Sequence, residues 1–214
     1  MRSVLAEAWR EHAYHHRVGV RSEIDRTPAQ FAEAVAQVRQ ATLRPEVVAD
    51  EMPAPQRIAP HAFAMSGDVV IDDEDLATGR FILLHDPAGN DAWGGTFRCV
   101  TFARADIEAD MAADPVLPSV GWSWLPEALD AYGSAYSAAS GSVTVVRSEG
   151  FGEMTDDGTT AQIEVRASWT PSVEGPVVET GSHAAAWSNV LCAIAGLPPL
   201  APGVIPLQRR RGVR

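Results

Sequence analysis

Hydrophobic and polar positions alternate most regularly over residues 161–170. The apolar positions are Ile163, Val165, Ala167 and Trp169, and the polar positions between them are Gln162, Glu164, Arg166 and Ser168. A period of two residues predicts a β-strand with one buried face and one solvated face. Sheets with one solvated face are usually antiparallel, so we expect this strand to belong to an antiparallel sheet.

Other apolar runs, rich in β-branched residues, predict further strands. They span residues 61–71, 81–85, 96–104 and 142–148. The acidic turn 72–75 and Gly79 separate the first two runs. Pro53, Pro55 and Pro60 interrupt residues 46–60, which permits an edge strand or an extended ribbon there but not a central strand.

Three segments carry the signals of helices, with apolar residues at helical spacing. They span residues 28–44, 124–132 and 182–195. Thr27, Ser123 and Ser182 are the predicted N-caps, because each is a hydroxyl residue placed directly before or at the start of the periodic run. Pro45 ends the first helix, since a proline cannot continue the helical hydrogen bonding.

The resulting order is α-β-β-β-β-α-β-β-α, without regular strand–helix alternation and without an internal repeat. This order predicts an α+β fold with a largely antiparallel sheet of about five to six strands and flanking helices. We expect residues 26–200 to form a single domain, because a chain of 214 residues lies within the range of one core. Residues 1–25 are predicted to be a polar lead-in and residues 201–214 a flexible tail rich in proline and arginine.

The formal net charge of −11 at pH 7 restricts the partners that we expect. Four arginines lie in residues 208–214, so the rest of the chain carries −15, which is −11 minus +4. A body of this charge repels phosphate backbones, and we predict that it does not bind duplex DNA.

No apolar run approaches the roughly 18 residues of a membrane helix, and the first residues lack the apolar stretch of a secretory signal. We therefore predict no association with membranes and a cytoplasmic location. Cys99 and Cys192 form no C-x-x-C pair, and we expect both to be small core residues without a disulfide.

The strongest candidate site is the glycine-rich connection 85–95 between two predicted strands. Its candidate binding residues are His85, Asp86, Asn90, Asp91 and Trp93. Backbone N–H groups freed by glycine, together with an acid–imidazole set, can hold a small polar molecule or a metal. In the alternative interpretation, Asp86-Pro87 and Gly89-Asn90 form turns and Trp93 folds back onto the core.

Trp122, Trp124 and His183 are secondary candidates. The two tryptophans flank Ser123 in a segment that lacks the second glycine of a nucleophile elbow, which favours a helix cap between aromatic anchors. His183 is either a base whose pKa the helix N-terminus lowers or a first-turn histidine that faces solvent. Phosphate-binding fingerprints and zinc spacings are absent from the sequence, so we predict no metal and no cofactor, and no catalytic residue is identified.

Six short segments carry a family resemblance. They are residues 43–46, 54–60, 83–89, 120–125, 163–171 and 195–199. Two of these motifs are Leu43-Arg44-Pro45-Glu46 and Val120-Gly121-Trp122-Ser123-Trp124-Leu125. Together, over roughly residues 28–212, they resemble the uncharacterised actinobacterial family named domain of unknown function 3000. The resemblance implies no activity and no catalytic residue. The element order is in addition similar to the fold of type III secretion chaperones and their stand-alone relatives.

Two functional hypotheses remain open at this point. The first is a non-catalytic binding or adaptor domain, chaperone-like in character, with an unidentified protein or small-molecule partner. It is favoured because no set of nucleophile, base and orienting group can be assembled from the sequence. The alternative is a small enzyme with an acid–imidazole site in residues 85–95, with or without a metal. An enzyme requires these groups to converge in a pocket, whereas an adaptor requires an exposed binding surface.

Overall fold

The computed structural model describes residues 27–174 and 177–199, so the predicted lead-in and tail lie outside the described residues. The helices are α1 (Ala29–Gln40), α2 (Leu117–Ala131) and α3 (Gly181–Ile194). The long strands are β1 (Val47–Glu51), β2 (His61–Ile71), β3 (Glu74–Asn90), β4 (Gly95–Ile107), β5 (Tyr136–Glu149) and β6 (Thr159–Pro171). Two-residue strands β7 (Val173–Glu174) and β8 (Val177–Val178) precede α3. None of the described helices is both long enough and apolar enough to span a bilayer.

The six long strands form one sheet in the order β1-β2-β3-β4-β6-β5, and every neighbouring pair is antiparallel. Together with the three helices, this confirms the α+β fold and the predicted element order. Only the last two strands exchange places relative to chain order, so that β6 pairs with β4 and β5 lies at the sheet edge.

The sheet has one covered face and one open face. Odd-numbered side chains of β2, β3, β4 and β6 point into the core, where the helices pack; the largest fully buried ones include Phe81, Leu83, Phe97, Ile163 and Trp169. Most even-numbered side chains of these strands point to the opposite, open face, where Leu84 and Arg98 are the large side chains that are nevertheless buried. This division follows from the two-residue period of a strand, because adjacent side chains project to opposite sides.

Two mid-strand glycines mark where α3 approaches the sheet most closely. A Cβ at Gly79 would overlap the side chain of Leu191, and a Cβ at Gly67 would lie 2.7 Å from the Trp187 ring. The absence of a side chain at these positions lets the helix settle onto the strands, which explains why Gly79 does not separate two strands as the sequence predicted.

Several element boundaries differ from the predictions. β3 begins at Glu74 and continues to Asn90, so it includes part of the predicted turn 72–75 and half of the predicted connection 85–95. α1 ends at Gln40, before Pro45, and α2 begins at Leu117 instead of Trp124. Pro118 is compatible with this earlier start, because a proline in the first turn of a helix sacrifices no hydrogen bond.

The segment after α1 is fastened to the end of α3 by Arg44. Its guanidinium, almost fully buried, makes a bidentate ion pair with Glu46, with nitrogen–oxygen distances of 2.9 and 3.0 Å. It also donates to the Asn189 side chain at 3.2 Å and to the Pro198 carbonyl at 3.1 Å. Two of the segments that carried the family resemblance, 43–46 and 195–199, therefore meet in a structural contact.

Candidate functional site

The predicted site 85–95 is a β-hairpin extension with a tight turn. Asp86 and Asn90 each accept a hydrogen bond from the backbone N–H two residues later, at 3.1 and 3.0 Å. The N–H groups of Trp93 and Gly94 donate to the Asn90 carbonyl. Such side-chain-to-backbone bonds are typical of turns, and they engage two of the polar side chains that the sequence singled out. Asp91 is exposed.

His85 lies on the covered face and is buried. Its ring stacks on Phe97, with 4.1 Å between ring centroids, and on Phe31 at 5.8 Å. Its Nδ1 lies 3.0 Å from the Thr96 carbonyl oxygen, an acceptor, so Nδ1 carries the proton. Burial lowers the pKa of His85. Asp86, the next residue of β3, projects to the opposite side of the strand, and its Oδ1 accepts the Ala88 N–H instead of a hydrogen bond from the His85 ring.

The remaining predicted site residues lie on three elements, the hairpin, α2 and α3. The Trp93 backbone carbonyl accepts a 2.6 Å hydrogen bond from the Thr170 hydroxyl, while its side chain is half-buried. Trp122 and Trp124 are also half-buried, on α2, and both pack against the core. His183 is buried instead of facing solvent, and its Nδ1 accepts a 3.0 Å hydrogen bond from the Trp169 indole. Burial lowers the pKa of His183 to about 4.

No group of three or more histidine, cysteine, aspartate or glutamate side chains in 27–174 and 177–199 is arranged to hold a metal ion. Both cysteines are free and buried. Burial raises the pKa of both thiols, that of Cys192 to about 12, so neither side chain has the character of a reactive thiolate.

The open face of the sheet carries a shallow groove of about 890 Å³. We call it the arginine groove, because Arg80, Arg104 and Arg166 line it, and Glu164 lies beside it in contact with Arg166. Its apolar floor consists of half-buried Ile82, Val100 and Phe102, and its hydroxyl groups come from Thr78, Ser140, Ser142 and Ser168.

Strand register places the centre of the arginine groove in one row across the sheet. Arg80 of β3 pairs with Phe102 of β4, Phe102 pairs with Arg166 of β6, and Arg166 pairs with Ser142 of β5. Neighbouring strands lie about 4.8 Å apart, so the backbones of Arg80 and Arg166 are separated by roughly 10 Å. Arg104 follows two residues after Phe102 on β4 and projects to the same face.

The three arginines of the groove differ in the contacts that their guanidinium groups make. Arg166 lies over the Phe102 ring, with 5.4 Å from its guanidinium carbon to the ring centroid, and its Nε lies 2.7 Å from Glu164. Arg80 and Arg104 are exposed, and within the described part of the chain neither has an ion pair or a side-chain hydrogen bond. These two guanidinium groups are therefore available to an external anion, with Glu164 as the cross-strand neighbour of Arg104.

A fourth arginine, Arg98, supports one end of the groove and is itself buried. Its two terminal nitrogens donate to the carbonyls of Ala138 and Ser168 and to the hydroxyls of Thr170, Ser140 and Ser168, at 2.7–3.2 Å. None of these partners is a carboxylate. Burial lowers the pKa of Arg98, and five neutral acceptors compensate for the lost hydration.

Arg98 thereby fixes the geometry of neighbouring backbone. It donates to the carbonyl of Ala138, whose φ of 50° lies in the left-handed region, beside the irregularity in the β5–β6 pairing. Through Thr170 it is also linked to the carbonyl of Trp93 in the hairpin. The hairpin 85–95 and the start of β5 are thus held together at one end of the groove.

Sequence reasoning assigned Arg166 to a solvated face but missed Arg80, Arg98, Phe102 and Arg104. A signal was present, because Arg80 in β3 and Arg98 and Arg104 in β4 interrupt runs that are mostly apolar. An even number of residues separates Arg98 from Arg104, which indicates one common face of β4, but only the register between strands brings Arg80 and Arg166 beside them.

The fold and this face define the class of protein, an α+β domain whose antiparallel sheet has helices on one face and an arginine-lined groove on the other. The chain belongs to the DUF3000 family, described as proteins of unknown function, whose family model matches residues 27–205. Comparisons with curated proteins and with solved structures gave no match.

Proposed function

We propose that this protein is a non-catalytic binding or adaptor domain that uses the arginine groove on the open sheet face to hold an anionic partner. The observation that carries the proposal is the concentration of charge. A chain with a net charge of −11 places three arginines around one concave surface, and among the described residues only Arg166 of these three has an ion pair, with Glu164. Guanidinium groups form strong, oriented hydrogen bonds with carboxylates and phosphates, which makes such a surface a suitable anion site.

The rest of the site is consistent with binding more than with catalysis. General acid–base chemistry requires a titratable group within hydrogen-bond reach of the reacting atoms. Arginine remains protonated at physiological pH and cannot serve as that group. The two candidate histidines, His85 and His183, are buried among aromatic rings on the covered face. A cytoplasmic location and a chaperone-like role remain part of the proposal.

Site-specific photo-crosslinking in the native cells tests this proposal. A photoreactive phenylalanine analogue is placed at Ser142, which is exposed on the open face, and in a matched variant at Glu33, which is exposed on α1. We expect one specific adduct from position 142 that disappears when Arg80→Gln is added, and none from position 33. The proposal is wrong if position 142 gives no adduct, or if both positions give the same set.

A further inference from the structure

Resting on the proposed function, we infer that the partner of the arginine groove is an extended acidic peptide segment, in which carboxylate side chains alternate with apolar ones. The groove offers charged and apolar contacts in one row, since Phe102 lies between Arg80 and Arg166. A peptide that crosses the strands along this row meets a guanidinium, an aromatic ring and a second guanidinium in turn.

The dimensions of the surface favour a chain over a small ion. Arg80 and Arg166 are two strands apart, which is about 10 Å between backbones. An extended peptide advances about 3.4 Å per residue, so a few residues cover this distance. Inorganic phosphate is much smaller than a groove of about 890 Å³ and is bound most strongly where several donors converge on it.

The chemistry of the floor also distinguishes a peptide from nucleic acid. Single strands bind to sheet faces through aromatic side chains on which successive bases stack. The groove lining contains one aromatic residue, Phe102, and the guanidinium of Arg166 already lies over its ring. The net charge of −11 further opposes a polyphosphate backbone, whereas a short acidic peptide carries less charge.

The hydroxyl groups at the margin suit a peptide backbone. Thr78 and Ser142 line the groove near Arg80 and Arg166, and a hydroxyl both donates and accepts hydrogen bonds. They can therefore pair with the N–H and C=O groups of a chain whose side chains face the sheet, while Ile82 and Val100 contact its apolar residues.

Fluorescence anisotropy with the full-length chain tests the inference. The probe is a labelled dodecapeptide with three Glu-Ser-Leu-Ser repeats, and the matched probe carries lysine in place of glutamate. We expect binding of the glutamate peptide only, with an affinity that falls as NaCl rises. Arg80→Gln and Arg104→Gln should each weaken binding about two- to fivefold, as loss of an exposed ion pair does, and the double variant more. Arg57→Gln removes an exposed arginine outside the groove and should leave the affinity unchanged.

Two further probes have outcomes that would overturn the inference. Dodecauridine binding more tightly than the glutamate peptide, with the same loss in Arg80→Gln, would identify a nucleic-acid site. Displacement of the peptide by millimolar inorganic phosphate at constant ionic strength would identify a small-anion site. Failure of the glutamate peptide to bind also overturns the inference. The photo-crosslinking experiment at position 142 tests the proposed function independently, because it reports whether the open face binds any partner. A failure of the peptide inference is therefore distinguishable from a failure of the proposed function.

Discussion

His183 provides the sharpest quantitative test of how the core is built. Its side chain is 1% exposed, and its Nδ1 accepts the hydrogen bond of the Trp169 indole. An indole N–H is only a donor, so Nδ1 must be unprotonated for this bond to exist. Burial, the main cause, lowers the pKa of His183 from an ordinary 6.5 to about 4 in the folded protein.

The consequence for stability follows from the protons bound by each state. Between pH 6.5 and pH 4 the unfolded chain protonates this histidine while the folded chain does not, so stability is lost as the pH falls through this range. It is fully present above pH 6.5 and levels off below pH 4. A pKa difference of about 2.5 corresponds to a loss of about 3 kcal/mol.

The assay compares urea unfolding of the wild type and His183→Gln at several pH values from 7 to 4. A glutamine amide can accept the Trp169 hydrogen bond but does not titrate. His85 and all carboxylates are present in both proteins, so their effects cancel in the comparison. We therefore expect the wild type to lose about 3 kcal/mol of unfolding free energy relative to the variant as the pH falls from 7 to 4.

A difference between the two proteins that stays constant from pH 7 to pH 4 would refute the reasoning. If His183→Gln does not fold, NMR titration of the wild-type ring replaces it. The His183 ring signals should then show no titration near pH 6.5, and a midpoint close to that value would refute the buried neutral state.

Three other predictions concern the sheet, the hairpin and the thiols. Gly79→Ala forces a Cβ into the Leu191 side chain and should cost roughly 1–3 kcal/mol in urea unfolding; a neutral effect would contradict the close approach of α3. Trp93→Ala should cost about 1 kcal/mol or less by the same measurement, because its side chain is not among those packed on the core, and a loss of 3 kcal/mol or more would make it a core residue. Reductant should leave the thermal midpoint unchanged, because Cys99 and Cys192 are free, and a clear drop in midpoint would reveal a disulfide.

The connection 85–95 illustrates why the sequence alone could not place the candidate binding residues relative to one another. Glycines and unpaired polar side chains between strands are typical of binding loops and of structured turns alike. The two cases differ in whether the side chains point outward to a ligand or back to their own backbone. Asp86 and Asn90 bond to their own turns, which is a property of local backbone geometry that composition does not reveal.

Local patterns determined the elements of this fold. The two-residue alternation over 161–170 predicted β6 within two residues at each end, and the apolar run 61–71 predicted β2 without error. The same alternation predicted one solvated face, because side-chain direction in a strand depends only on position along that strand. The sequence therefore determined that the sheet has a polar face, and the order of helices and strands determined the α+β class.

Only the tertiary structure decided which residues share a site. Arg80 and Arg166 lie on different strands, and their meeting around Phe102 depends on register and on the exchange of β5 and β6 in the sheet. Burial of His183 likewise depends on where α3 packs. These outcomes result from contacts between segments far apart in the chain, whose free energies depend on the packing of the whole core, and a local sequence pattern contains no record of them.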